Sequence, residues 1–84
     1  MKKMWEDSAW NDYLHWQNTN KKMLNKVNEL ITNCERTPFS GQGKPEPLKD
    51  NLKGYWSRRI DKEHRLVYKV EGETIIISQC RFHY

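Results

Sequence analysis

The chain has 84 residues, enough for one domain spanning 1–84 with a single modest core. Only 36% of the residues are apolar, but four Trp, four Tyr and two Phe concentrate burial in large rings. Fifteen Lys and Arg against 11 Asp and Glu give a net charge of +4, which favours polyanionic partners, and no apolar run approaches the roughly 20 residues of a membrane span.

In chain order, "KKMW" reads as a short strand. Ser8 is a candidate N-cap for a first helix that carries Trp10, Tyr13 and Leu14 on one side and ends near Gln17. Asn18 or Thr19 can cap a second helix, in which Met23, Leu24, Val27, Leu30, Ile31 and Cys34 recur at helical spacing. Trp5, Trp10 and Trp16 are expected in the core or an interface. The run "TPFSGQGKPEPLKDN" has two Gly, three Pro and no periodicity, so it reads as a loop. Three strand-like runs follow, 54–60, 64–70 and 74–82, joined by "DKE" and "EGE" as an antiparallel meander. Cys34 and Cys80 have neither metal-ligand spacing nor a disulfide-scaffold count, and the first residues do not resemble a signal peptide. Both are expected as reduced core thiols of a cytoplasmic protein.

Side chains alternate faces along a strand, so the meander predicts which residues share a surface. With Lys62 and Gly72 at the centres of the two turns, Arg65 lies opposite both Arg59 and Gln79. One face then carries Trp56, Ile60, Leu66, Tyr68, Val70, Ile76, Cys80 and Phe82 for the helices to cover. The other carries Arg59, Arg65, Gln79, Arg81 and His83 towards one end and Val67, Ile75 and Ile77 towards the other. Arg58 falls on the core side and is expected to reach solvent at an edge. A slip of one residue would reverse these faces.

Arg59 and Arg65 suit a phosphate, because guanidinium offers fork-shaped donors, but they equally suit solvated pairs with Asp61 or Glu63. His83 can exchange a proton near neutral pH. Glu46 sits between Pro45 and Pro47, whose fixed φ would hold its carboxylate in place, although a solvated loop acid looks the same. His15 and His64 are given no role. A carboxylate, an imidazole and several arginines, with no recognisable metal-ligand spacing, are the parts for cleaving RNA through its own 2′-hydroxyl, without metal or cofactor.

The blocks "KPEPLK", "WSRRI", "EHRLVY" and the final "HY" occur in that order, with "AWNDYLHWQ" near the start. In these the chain closely resembles the YoeB toxins of the RelE superfamily. The resemblance implies an α+β, RelE-like fold, with two N-terminal helices packed on a twisted, mainly antiparallel sheet. It also implies a ribosome-dependent mRNA endonuclease acting in the vacant A site, with Glu46, Arg65, His83 and Tyr84 as the catalytic set and Lys49 and Arg59 binding substrate phosphate. A YefM-type antitoxin and a homodimer are implied as partners. The alternative is a non-catalytic basic module that blocks a partner, as the related ParE toxins do, or that occupies nucleic acid.

Overall fold

The computed structural model describes residues 1–84. The helical spacing of the second apolar run puts Val27, Leu30, Ile31 and Cys34 on one side of a helix over Lys21–Arg36, α2, and all four are buried. Its N-cap is Asn20, one residue beyond the expected positions, and the side-chain oxygen of Asn20 accepts from the Met23 N–H at 3.2 Å. The same residue closes the first helix, α1 (Asp7–Thr19), by donating its own N–H to the Trp16 carbonyl at 2.8 Å. One extended residue thus serves as both stop and start. Ser8 does not cap α1. Its hydroxyl donates to the Ser78 carbonyl at 3.0 Å, and the helix entrance is set by the Glu6 N–H on the Ile77 carbonyl at 2.9 Å.

Around the helices the chain forms five strands: β1 (Lys2–Trp5), β2 (Glu46–Pro47), β3 (Trp56–Arg59), β4 (Arg65–Glu71) and β5 (Thr74–Gln79), with a 3-10 turn at Asp50–Leu52. They form one sheet in the order β1-β5-β4-β3-β2. The meander β3-β4-β5 is antiparallel as expected, and β1 runs parallel to β5 at its free side. The loop run is not entirely loop. Glu46 and Pro47 pair with Ser57 and Trp56, and prolines fit there because β2 is an edge strand with a side that needs no donors. Ala9 and Trp16 of α1 and the buried face of α2 join Ile60, Leu66, Tyr68, Ile75, Ile77 and Cys80 in one core. No helix is long and apolar enough to cross a membrane.

The β4–β5 register departs from the sequence reading. Gly72, at φ 60°, opens a two-residue turn with Glu73, so Glu71 pairs with Thr74, Val70 with Ile75 and Tyr68 with Ile77. Ile75 and Ile77 therefore point into the core, where Ile76 was expected, and Ile76 joins Met4 and Lys69 on the opposite face. The uninterrupted Ile75-Ile76-Ile77 run offers no alternation to fix the register, so the turn decides it. A bulge then restores the phase. Pairing jumps from Tyr68–Ile77 to Val67–Gln79, leaving Ser78 extra, and Cys80 returns to the core. Gln79 thus faces Val67 rather than Arg65, while Arg59 does face Arg65.

Arg58 does not reach solvent; it is 0% exposed. Its guanidinium donates to the carbonyls of Thr37 at 2.5 Å, Ser40 at 2.9 Å and Gln42 at 3.0 Å, to Asn33 Oδ1 at 2.6 Å and to the Tyr68 hydroxyl at 3.1 Å. A buried cation is tolerable when all its donors are satisfied, and here they tie the loop after α2 to the sheet. Gly43 closes the same loop. Its carbonyl accepts the Arg59 N–H at 2.6 Å, its φ is 82°, and a Cβ there would lie 3.0 Å from both Arg58 Cβ and Leu30 Cδ2.

Candidate functional site

The side of the sheet away from the helices carries Glu46, Ser57, Arg59, Arg65, Val67 and Gln79 through the registers of four neighbouring strands. Residues 80–84 leave the line of β5, which ends at Gln79, three residues earlier than a strand reaching Phe82 would. Phe82 is consequently not a core residue; its ring is 55% exposed. The tail is nonetheless held. The Arg65 N–H donates to the Phe82 carbonyl at 3.0 Å, and the Tyr84 hydroxyl lies 3.2 Å from both Glu46 Oε1 and Ser57 Oγ.

Glu46, Lys49 and Tyr84 line one groove of about 460 Å³ that runs along the 3-10 turn. Edge strand β2 presents the Glu46 carboxylate to it, and Tyr84 donates to that carboxylate across the mouth. His83 stacks on the Tyr84 ring, with centroids 4.8 Å apart, and its Nδ1 lies 3.0 Å from the Tyr84 main-chain oxygen. It also lines a second groove of about 360 Å³ with Arg81, Asp12 and Gln79. Tyr84 is therefore the link between Glu46 and His83.

Arg65 is 9% exposed and held rather than free. Its Nη1 donates to the carbonyls of Asp61 at 2.8 Å and His64 at 3.0 Å, so the three N–H groups on Nε and Nη2 have no protein partner. Neither Asp61 nor Glu63 takes the guanidinium by its carboxylate. Burial would raise the Asp61 carboxyl, but N–H donors from Glu63 at 2.8 Å and His64 at 2.7 Å, with the charge of Arg65, hold it below its ordinary value. Arg59 and Lys49 are exposed, as suits groups that meet a large anion. No three His, Cys, Asp or Glu side chains are grouped as a metal site requires.

Four residues at this site escaped the sequence reading. Ser57 is buried beneath the Tyr84 hydroxyl, and strand alternation from Arg59 could have found it. His64 accepts the Phe82 N–H on its Nδ1 at 2.8 Å. Trp16 and Asp12 grip Cys80 from α1: the indole N–H donates to the Cys80 carbonyl at 2.8 Å, and Asp12 Oδ2 accepts the Cys80 N–H at 3.1 Å. Burial pushes the Asp12 carboxyl up, against that hydrogen bond and the Arg81 charge. No local pattern signals these last three, because they depend on where the tail turns.

The sequence model for YoeB-like toxins of bacterial type II toxin–antitoxin systems matches residues 5–84. The toxin YoeB of Escherichia coli strain K12 is 57% identical over 84 residues, 100% of both chains. Among solved structures, the YoeB/ParE toxin of Agrobacterium tumefaciens superposes over 100% of both chains with a TM-score of 0.98 at 56% identity. A Staphylococcus aureus toxin, solved as a YoeB dimer and as a YoeB–YefM complex, superposes with a TM-score of 0.93 in both, at 46% and 47% identity, over 100% of this chain and 98% of that one.

Proposed function

The chain belongs to the YoeB-like toxins of bacterial type II toxin–antitoxin systems, and from that membership we propose that it is an endoribonuclease that cuts mRNA in the A site of translating ribosomes. The observation that carries this reading is the Tyr84 hydroxyl on Glu46, which draws the His83-Tyr84 pair to a carboxylate fixed on a strand. A protein that only binds would not need that contact.

In the reaction, the Glu46 carboxylate takes the proton of the 2′-hydroxyl, and the freed oxygen attacks the neighbouring phosphorus. The bond from phosphorus to the 5′-oxygen breaks as His83 gives that oxygen a proton. The products are a 2′,3′-cyclic phosphate, which can open to a 3′-phosphate, and a 5′-hydroxyl end. Arg65 stabilises the charge that builds on the phosphoryl oxygens. Its two anchoring carbonyls and its three unpartnered N–H groups make it a pre-oriented donor, the arrangement that loses least on reaching the transition state. Arg59 and Lys49 hold flanking phosphates, and Tyr84 orients the substrate on leaving Glu46.

The partner that silences the toxin is a YefM-type antitoxin, by likeness to the Staphylococcus aureus complex, and the toxin pairs with itself as that relative does. An acidic, partly disordered antitoxin segment complements a chain of net charge +4. The site of action is the cytoplasm, where translating ribosomes are.

The test uses programmed ribosomes with mRNA carrying a 2′-deoxy sugar 5′ of the cut. Cleavage of the substituted message should disappear while the all-ribose message is cut. Equal cleavage of both would overturn the mechanism.

A further inference from the structure

Phe82 is a strained residue. Its φ of 67° lies in the left-handed region, where a bulky side chain crowds its own backbone. Burial does not impose this, because the ring is exposed, with the Arg81 guanidinium 4.3 Å from its centroid. The main chain does. The Phe82 N–H donates to His64 Nδ1 at 2.8 Å, and its carbonyl accepts from the Arg65 N–H at 3.0 Å and from Gln79 Nε2 at 3.1 Å. The start of β4, through His64 and Arg65, and the end of β5, through Gln79, therefore define the conformation of one residue, immediately before His83.

Of the three, His64 alone holds the Phe82 N–H, and its ring is itself held in place. Its ring meets the Trp16 indole edge-on at 4.9 Å, and its side chain is 12% exposed. Its main-chain N–H is held by Asp61 Oδ1 at 2.7 Å. An Nδ1 that accepts a hydrogen bond carries no proton, so the ring proton sits on Nε2, 3.9 Å from Glu63 Oε1. Trp16 also holds the Cys80 carbonyl, so one indole supports the tail directly at residue 80 and through His64 at residue 82.

We infer that His64 is a positioning residue for His83 and Tyr84, acting through the main chain of Phe82. The left-handed Phe82 redirects a tail that has already left the line of β5, and from there Tyr84 reaches Glu46 and Ser57. The inference rests on the endonuclease reading for its consequence in catalysis, but not for its structural content.

Asparagine and glutamine separate the roles of the ring. The Asn amide oxygen falls near the place of Nδ1 and can accept the Phe82 N–H, whereas the longer Gln amide reaches the place of Nε2. His64→Asn should keep single-turnover cleavage of ribosome-bound mRNA within about threefold of the parent, and His64→Gln should slow it at least tenfold, with unchanged ribosome affinity. Amide exchange supplies a readout that needs no cleavage. The Phe82 N–H should stay protected in His64→Asn and exchange freely in His64→Gln, with the Tyr84 amide more mobile in the latter. Protection of Phe82 in His64→Gln, or full cleavage with that amide unprotected, overturns the inference. If His64→Gln does not fold, Gln79→Leu, which removes a second holder of Phe82, must give the same loss of cleavage and the same mobility. If the parent protein cuts no ribosome-bound mRNA, the endonuclease reading fails, and the exchange data still decide the role of His64.

Discussion

A buried arginine is the residue on which the loop between the helices and the sheet depends. Arg58, itself without solvent contact, feeds three carbonyls, Asn33 and Tyr68, so removing it strips five acceptors of their partner at once. Arg58→Met should lower the free energy of unfolding by about 3–5 kcal/mol in urea titrations. Arg58→Lys should recover little, because one ammonium group cannot span the same acceptors. A loss below about 1 kcal/mol would mean that the carbonyls had found other donors. Sequence placed Arg58 on the core side correctly and then sent its head to the surface. Alternation gives the face, but whether a charge can stay there depends on the carbonyls of residues 37, 40 and 42, which only the folded loop assembles.

Helices and strands were legible where their periodicity was uninterrupted. The apolar stripe of α2 and the order of the meander follow from spacing, whereas the Ile75-Ile76-Ile77 run and the Ser78 bulge do not. The N-cap was ambiguous for a related reason, since Asn18, Thr19 and Asn20 are all capping types and only the end of α1 chooses among them. Asn20→Ala should cost about 1 kcal/mol, read by thermal or urea unfolding, and Asn18→Ala close to nothing. Of the candidate site, Glu46, Lys49 and Tyr84 line one groove, but in the sequence only the family resemblance joins them, since the strand pattern runs on to Phe82 whereas β5 stops at Gln79. Deleting His83 and Tyr84 tests the element. The tail beyond β5 has no ladder to lose, so unfolding should shift by only about 1 kcal/mol from the lost Tyr84 hydrogen bonds, while cleavage should vanish. Collapse of the fold would mark the segment as structural instead.

Across the whole molecule, stability should be sensitive to alkali. Burial pushes the Cys80 thiol up to about 12 from 9.0, and the Tyr68 hydroxyl up to about 12 from 10.0. Between these values the unfolded chain has released protons that the folded chain keeps. The contribution is intact below the unfolded values and is lost as pH rises through the folded ones. Unfolding free energy should fall by on the order of 2 kcal/mol between about pH 8 and pH 10.5, and Cys80→Ser should flatten most of that slope. At this scale the parallel pairing of β1 with β5 has a consequence of its own. Lys2 meets Thr74, and α1 grips Cys80 through Trp16 and Asp12, so these segments wait for partners made at least 64 residues later. Folding in the order of synthesis is therefore barred, and contacts of such long range close slowly. A growing chain therefore has neither its sheet edge nor the anchors of its tail until β5 and Cys80 have been made: topology keeps the Glu46–Tyr84 contact unassembled until late.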